Sequence, residues 1–287
     1  MATPPDPELE ELRREVDRLD GAMVDLLAER MRVVRAIAAI KRAAAPNGQP
    51  AIRPGREAAI LRRLVGQAAG RFPAGTLVRM WRELLAATTR SQAPLAVAAF
   101  VPPDQPELWD IARDHFGSLT PVQRAGGWSQ ALRLLADGAA QLAVLPLPRD
   151  SEPWWASLLD RSARPLRVVA QLPFGGLAAA YPEGSGGLVV GAFDPDPSGA
   201  DVTLVAAETP CEVGQARLLD LLAGAGLEPR WLATRRLEGG PAVHLIELDG
   251  FLAPDDARVA EAWQASPGHV LRSARLGGYA RPLFAGE

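Results

Sequence analysis

Two cations on one apolar helix face set the chemistry this sequence can support. Between Glu8 and Arg42, apolar residues recur at alternating steps of three and four: Leu9, Leu12, Val16, Leu19, Met23, Leu26, Val33, Ile37 and Ile40. Arg30 stands where the seam calls for another apolar side chain. A guanidinium on a core-facing stripe costs free energy unless an anion meets it, and Glu29 is the only acidic residue within a turn. That pattern points to an anionic ligand. Lys41 follows on the same helix, about 20° round the axis and about 16 Å along it, so two long cationic side chains can converge on one small anion. It is also the single lysine among 31 basic residues, which suggests a position that wants a compact ammonium donor. Composition alone is the competing explanation for both.

The element that must position these cations is the helix itself. Pro4 and Pro7 stop anything earlier, the acidic run Asp6, Glu8, Glu10 and Glu11 suits a helix N-terminus, and the pattern continues to about Ala45. A helix of that length measures about 60 Å, more than a domain of this size can cover with its own remaining chain. It is expected to pair with a second copy, as a coiled coil or intertwined dimer. PNGQPAIRPG breaks it, REAAILRRLVGQAAG forms a second helix after Pro54, and AGTLVRMWRELLAATTRSQ forms a third closing near Gln92. Thr88 and Gln92 then lie one turn apart on one face.

At 287 residues, 48% of them hydrophobic, the chain predicts two or three domains with real cores. A net charge of −3, with no basic tail, argues against nucleic acid or a membrane surface as partner. A single cysteine, Cys211, excludes an internal disulfide and reads as a small buried hydrophobe. No long apolar run and no signal-like start occur, so a soluble cytoplasmic protein is expected.

Taken in order and at these spacings, LRREVDRLD, LLAERMRVVRAIAAIK, PAIRPGRE and LLAATTRSQ resemble the all-helical, type II chorismate mutase family over residues 8–93. The resemblance implies conversion of chorismate to prephenate, a pericyclic rearrangement of a dicarboxylate that needs no acid, base, nucleophile, metal or cofactor. Such an enzyme holds the substrate folded, neutralises its carboxylates and donates hydrogen bonds to the ether oxygen as charge develops there. By correspondence, Arg13 and Arg30 bind carboxylates, Arg13 being supplied by the partner chain of a homodimer. Its place about 100° from Arg30 round the helix is compatible with that. Lys41 and Gln92 correspond to the ether-oxygen donors, so that Lys41, Gln92 and Arg30 form the catalytic set. Arg56 and Glu57 open the second helix, Glu57 accepting from the ring hydroxyl, and Thr88 takes the place of a small hydroxyl residue near a carboxylate. Arg53 departs from the family by standing where an aspartate is usual. Bland alternatives apply: Arg56 and Glu57 as an exposed pair, Thr88 as bonded to its own helix.

After Gln92 short strands alternate with helices, in the order LAVAAFV, ELWDIARDHFG, TPVQRAG, GWSQALRLLADGA, QLAVLPLPR, EPWWASLLD, LRVVAQLPF. This part resembles the first lobe of prephenate dehydratase, carried by AAFVPPDQPELWDIARDHFG, QLAVLPLPRD and LVVGAFDPDPSGADVTLVAAE. The family's active-site segments are replaced by VPPDQPE, by Leu147–Pro148–Arg149–Asp150 and by Ser185–Gly186–Gly187, and no room is left for a second lobe, so an inert remnant is expected. From Val202 to Tyr279 a βαββαβ order resembles the ACT regulatory domain, with Gly214 and the stretch around Thr234 and Arg235 where an amino-acid effector would bind. His244, alternating with apolar residues, reads as structural, as do Trp154 and Trp155. The expected fold is multidomain: an all-α three-helix chorismate mutase domain over 1–95, a truncated dehydratase-like α/β lobe over 96–200, and a βαββαβ ACT-like domain over 201–287. Two other activities share these residues: an isochorismate pyruvate-lyase of the same helical family, and a non-catalytic effector-binding or scaffold protein.

Overall fold

The computed structural model describes residues 7–44, 51–159, 165–175, 181–182, 184–236 and 240–283, except the side chains of 41, 42, 44, 231 and 232. The chain divides into two compact units, one of residues 1–51 and 91–93, the other of 52–90 and 94–287.

The first unit is dominated by α1, Pro7–Ala44, with Glu8 and Glu10 in its first turn, where carboxylates oppose the helix dipole favourably. Its seam is not covered. Leu12 is 60% exposed, Leu26 65% and Ile40 70%, and Leu9, Val16, Leu19, Met23, Val33 and Ile37 are exposed with them.

The second unit begins with α2, Pro54–Ala68, and α3, Ala74–Arg90. Proline in the first turn of α2 gives up an N–H that no helical carbonyl could use. Then follow β1 Val97–Phe100, α4 Leu108–Phe116, β2 Val122–Ala125, α5 Trp128–Ala136, β3 Leu142–Pro146, β4 Arg167–Leu172 and β5 Gly187–Gly191. The second half adds β6 Asp201–Thr209, α6 Gln215–Gly224, β7 Pro229–Arg236, β8 Ala242–Asp249, α7 Arg258–Gln264 and β9 Arg272–Ala280. The nine strands among the described residues belong to one mixed sheet, ordered β2-β1-β3-β5-β4-β9-β6-β8-β7. β2, β1 and β3 run parallel, β5 is antiparallel to β3 and β4, and β9, β6, β8 and β7 form an antiparallel set.

The segments 96–200 and 201–287 therefore meet within one sheet, joined where β4 and β9 run parallel with Val168 opposite Gly277. Gly277 has φ 114°, and a Cβ there would come within 2.1 Å of the Val168 carbonyl oxygen, so the junction needs glycine. Alternation sorts the strands into two faces. Val97 and Ala99 pack with Ile111 and Phe116 of α4, while Ala98 and Ala143 pack with Leu132 of α5 and with Trp154 and Trp155. That second layer continues without break to Leu204, Leu245 and Leu276. Beyond it Val205 and Ile246 meet Leu218 and Leu222 of α6 and Trp263 of α7. The pair α2 and α3 packs through Ala58, Leu61, Val78 and Leu85 onto Phe174 and Ala280.

Several sequence expectations change here. The helix expected over EPWWASLLD is a 3-10 helix, Trp154–Leu159, anchored by the Trp154 indole donating to the Pro146 carbonyl at 3.1 Å. α3 stops at Arg90, and Gln92 stands in the turn before Pro94, which disfavours helix at the residue before it. Cys211 is exposed rather than buried, because it sits in the turn between β6 and α6. His244 is structural, as expected: fully buried on β8, it meets Thr209 Oγ1 at Nε2 (3.0 Å) and Thr234 Oγ1 at Nδ1 (3.2 Å). No helix among the described residues is long and apolar enough to cross a membrane.

Candidate functional site

The first unit carries Arg13, Arg30, Lys41 and Gln92; the second carries Arg56, Glu57 and Thr88. On α1, Arg13 is exposed and bonds Glu10 at 2.5 Å, a surface pair one turn apart. Arg30 is half-buried in the seam. Lys41 lies in the last turns of α1, and its side chain lies outside the described residues. Gln92 is half-buried in the turn after α3.

In the second unit the first turn of α2 is built around a carboxylate from far along the chain. Arg53, just before the helix, gives no side-chain cap of its own. Asp196 supplies one instead: the Gly55 and Arg56 amides donate to its Oδ1 and Oδ2, each at 3.0 Å, and the Arg53 guanidinium lies 3.2 Å away. Orphan amides and the helix dipole both favour an anion at this end, so the arrangement satisfies two donors and a charge together. Arg53, the residue at odds with the family pattern, is thereby accounted for by a partner on the sheet body.

Arg56 is exposed, and Glu57 turns inward. The Glu57 carboxylate accepts from Arg82 of α3 at 2.9 Å, with the Arg82 side chain only 6% exposed. Burial pushes the Glu57 carboxyl up from its ordinary value, while the Arg82 charge and hydrogen bond oppose that and Asp196 adds to it. Arg82 also lies over the Phe174 ring, 5.1 Å from its centroid, with Arg62 at 5.6 Å. The His115 imidazole beside this pair is held well below its ordinary pKa by burial and by the Arg82 charge, so it is neutral at pH 7. A carboxylate keeps acceptor capacity after one guanidinium bond, so Glu57 can still accept a hydrogen bond from a ligand hydroxyl. Thr88 is buried and donates to the Leu85 carbonyl of its own helix at 2.8 Å, the bland alternative weighed for it.

The structure thus brings Arg56 and Glu57 together with Arg53 at one helix start and sets Thr88 apart near the end of α3. Arg82 and Asp196 are the residues that sequence reasoning missed. Arg82 had a signal, since it interrupts the apolar spacing Val78, Leu85 in the same way as Arg30 interrupts its own seam. Asp196 had none within reach of local pattern.

The segments expected to have lost dehydratase chemistry make polar contacts with other parts of the second unit. Arg149 bonds Asp104 at 2.6 Å, Ser185 donates to Glu107 at 2.7 Å, and Asp150 accepts from the Thr234 amide at 2.9 Å. Among the described residues no group of three or more His, Cys, Asp or Glu is placed to hold a metal ion.

Residues 12–93 match the chorismate mutase type II family. The chain is 28% identical over 147 residues to a bifunctional chorismate mutase/prephenate dehydratase of Stutzerimonas stutzeri, and 26% identical over 147 residues to one of Pseudomonas aeruginosa. Each alignment spans 50% of this chain and 40% of the relative. Among solved structures, a prephenate dehydratase of Arthrobacter aurescens in complex with L-Phe superposes with a TM-score of 0.47 at 14% identity, covering 65% of this chain and 92% of that one. The quorum quenching acylase GqqA does so with a TM-score of 0.43 at 19% identity, over 66% and 95%. At such scores the structural likeness carries no weight for activity. By sequence, residues 12–93 are a type II chorismate mutase domain, followed by a prephenate dehydratase-like region.

Proposed function

We propose that this chain rearranges chorismate to prephenate in the synthesis of aromatic amino acids, in the cytoplasm. The observation that carries the proposal is the match of residues 12–93 to the type II family; in this reading Arg13, Arg30, Lys41, Arg56, Glu57, Thr88 and Gln92 are the substrate-binding residues that the sequence resemblance implies. Arg30 and Arg13 neutralise the two carboxylates, the latter reaching across from the second protomer. Lys41 and Gln92 donate to the ether oxygen, whose negative charge grows as the C–O bond lengthens; both bonds therefore strengthen in the transition state. Glu57 accepts from the ring hydroxyl, and its ordering by Arg82 reduces the entropy lost when substrate binds.

The exposed apolar face of α1 supports a homodimer formed along that helix. In the C-terminal part, the order β6-α6-β7-β8-α7-β9, with β9-β6-β8-β7 across the sheet, supports an ACT-like amino-acid-binding module, and the intervening segment is a catalytically inert remnant. In this reading the functional segments are 1–95, 96–200 and 201–287. The test is direct: purified protein is mixed with chorismate and its ultraviolet absorbance followed while prephenate is identified chromatographically. Pyruvate released from isochorismate, with chorismate untouched, would instead establish the lyase. Inertness toward both would leave an effector-binding or scaffold role.

A further inference from the structure

The segment Asp194–Asp201, which leads from β5 into β6, carries three carboxylates, of which two tie it to the rest of the second unit and one folds it on itself. Asp194 lies 3.2 Å from Arg275 and 3.6 Å from Arg167. Asp201 accepts from the Ser198 and Gly199 amides at 2.9 Å and 3.1 Å, folding the strap on itself. Between them Asp196 takes both leading amides of α2 and the Arg53 guanidinium.

The fit is close as well as charged. A Cβ on Gly55 would come within 2.0 Å of the Asp196 carbonyl oxygen, so the strap backbone rests directly on the helix start. Two turns on, Arg62 continues the attachment by donating to the Ser198 carbonyl and hydroxyl, the Ala200 carbonyl and the Arg281 carbonyl, at 3.2, 2.8, 2.9 and 2.7 Å. α2 is thus held in rotation and along its axis by a segment about 140 residues away in sequence.

We propose that Asp196 is a positioning residue for catalysis: through the Gly55 and Arg56 amides and through Arg53 it fixes the first turn of α2, and with it Arg56 and Glu57. This rests on the chorismate reading given above. Arg53 then serves the reaction indirectly, as the cationic half of the clamp, and its replacement of the family's aspartate transfers a contact from the substrate to the sheet body. Because the strap is the direct connection from β5 to β6, any displacement of β6 is felt at the helix start.

The experiment uses the full-length chain carrying Asp196→Asn, Arg53→Ala and both together, each checked for native circular dichroism. Two readouts are taken: steady-state kinetics on chorismate, and hydrogen exchange at the Gly55 and Arg56 amides. Asparagine keeps one accepting oxygen but puts a donor against the second amide and removes the ion pair to Arg53. That lowers the fraction of competent first turn, so Asp196→Asn should raise KM about tenfold while kcat stays within about twofold. Protection at Gly55 and Arg56 should fall with it. Arg53→Ala should add almost nothing on top of Asp196→Asn, since both remove one clamp. An active wild type whose KM is unchanged by Asp196→Asn overturns the proposal, as does an additive double variant. A wild type inert toward chorismate overturns the function proposed above instead; the clamp itself then stands or falls on the exchange measurement.

Discussion

Replacing Arg82 by methionine removes a buried charge while keeping most of the stem. Arg82 is 5% exposed, bonded to Glu57 at 2.9 Å and stacked on Phe174 at 5.1 Å. The variant leaves Glu57 inward-facing without its counter-charge. Removing one partner of a buried pair costs about 3–5 kcal/mol, of which the lost ring contact accounts for about 1 kcal/mol. In a unit of this size that lowers Tm by about 10 °C. The pH dependence carries the diagnosis. With Arg82 gone, burial and the Asp196 charge act on Glu57 unopposed and raise its folded pKa further, so the deficit is largest at neutral pH, where the carboxylate must be buried charged. It shrinks as pH falls through that raised pKa and Glu57 protonates. The double variant Glu57→Gln/Arg82→Met should recover most of the loss, because no lone charge remains. Thermal melts of the three proteins between about pH 4.5 and 8, a window of about 3–4 units above the ordinary carboxyl range, decide the matter. A fall under about 2 °C for Arg82→Met, or a double variant no better than the single one, would refute the reasoning.

Three further outcomes are expected. His244 is pushed down to about 4 by burial and the Arg236 charge, so the unfolded chain binds the proton more tightly. Stability from this site is complete above pH of about 6.5 and declines toward pH 4, by about 3 kcal/mol; melts of His244→Gln should lack that decline, and an identical acid slope would count against it. Lys41→Arg should lower kcat on chorismate about a hundredfold or more with little change in KM, because a planar fork cannot put its donors where an ammonium does; wild-type turnover would remove Lys41 from the catalytic set. Aspartates at Leu12 and Leu19, both exposed on α1, should turn a sedimenting dimer into monomer, and a wild type that sediments as a monomer would sink the α1 pairing.

Much of the fold was legible because period and punctuation are local. The three-four spacing from Leu9 to Ile40 gives α1, and the short apolar runs after Gln92 give the strands in order. What was not legible depends on distance along the chain. The pairing of Val168 with Gly277 has no local mark, so two segments read as separate domains share one sheet. The cap at α2 comes from Asp196 and leaves Arg53 looking only like a departure from pattern. The site teaches a sharper lesson. An arginine in an apolar seam signals an anion, and at Arg82 that anion is Glu57 of the chain itself. The same pattern at Arg30 is what motivates the carboxylate-binding role proposed for it.

The placement of β9 bears on how the protein is made. Ribosomes release strands in sequence order, so β1 to β8 are all available before Arg272–Ala280 emerges, yet β9 lies between β4 and β6. Until then β4 and β6 each present an open edge, and no strand pairing joins the β1–β5 segment to the β6–β8 segment. Closure must wait for the last strand and bring together residues about a hundred apart, Val168 and Gly277 among them. Nascent chains stalled before Arg272 would therefore carry two unpaired strand edges.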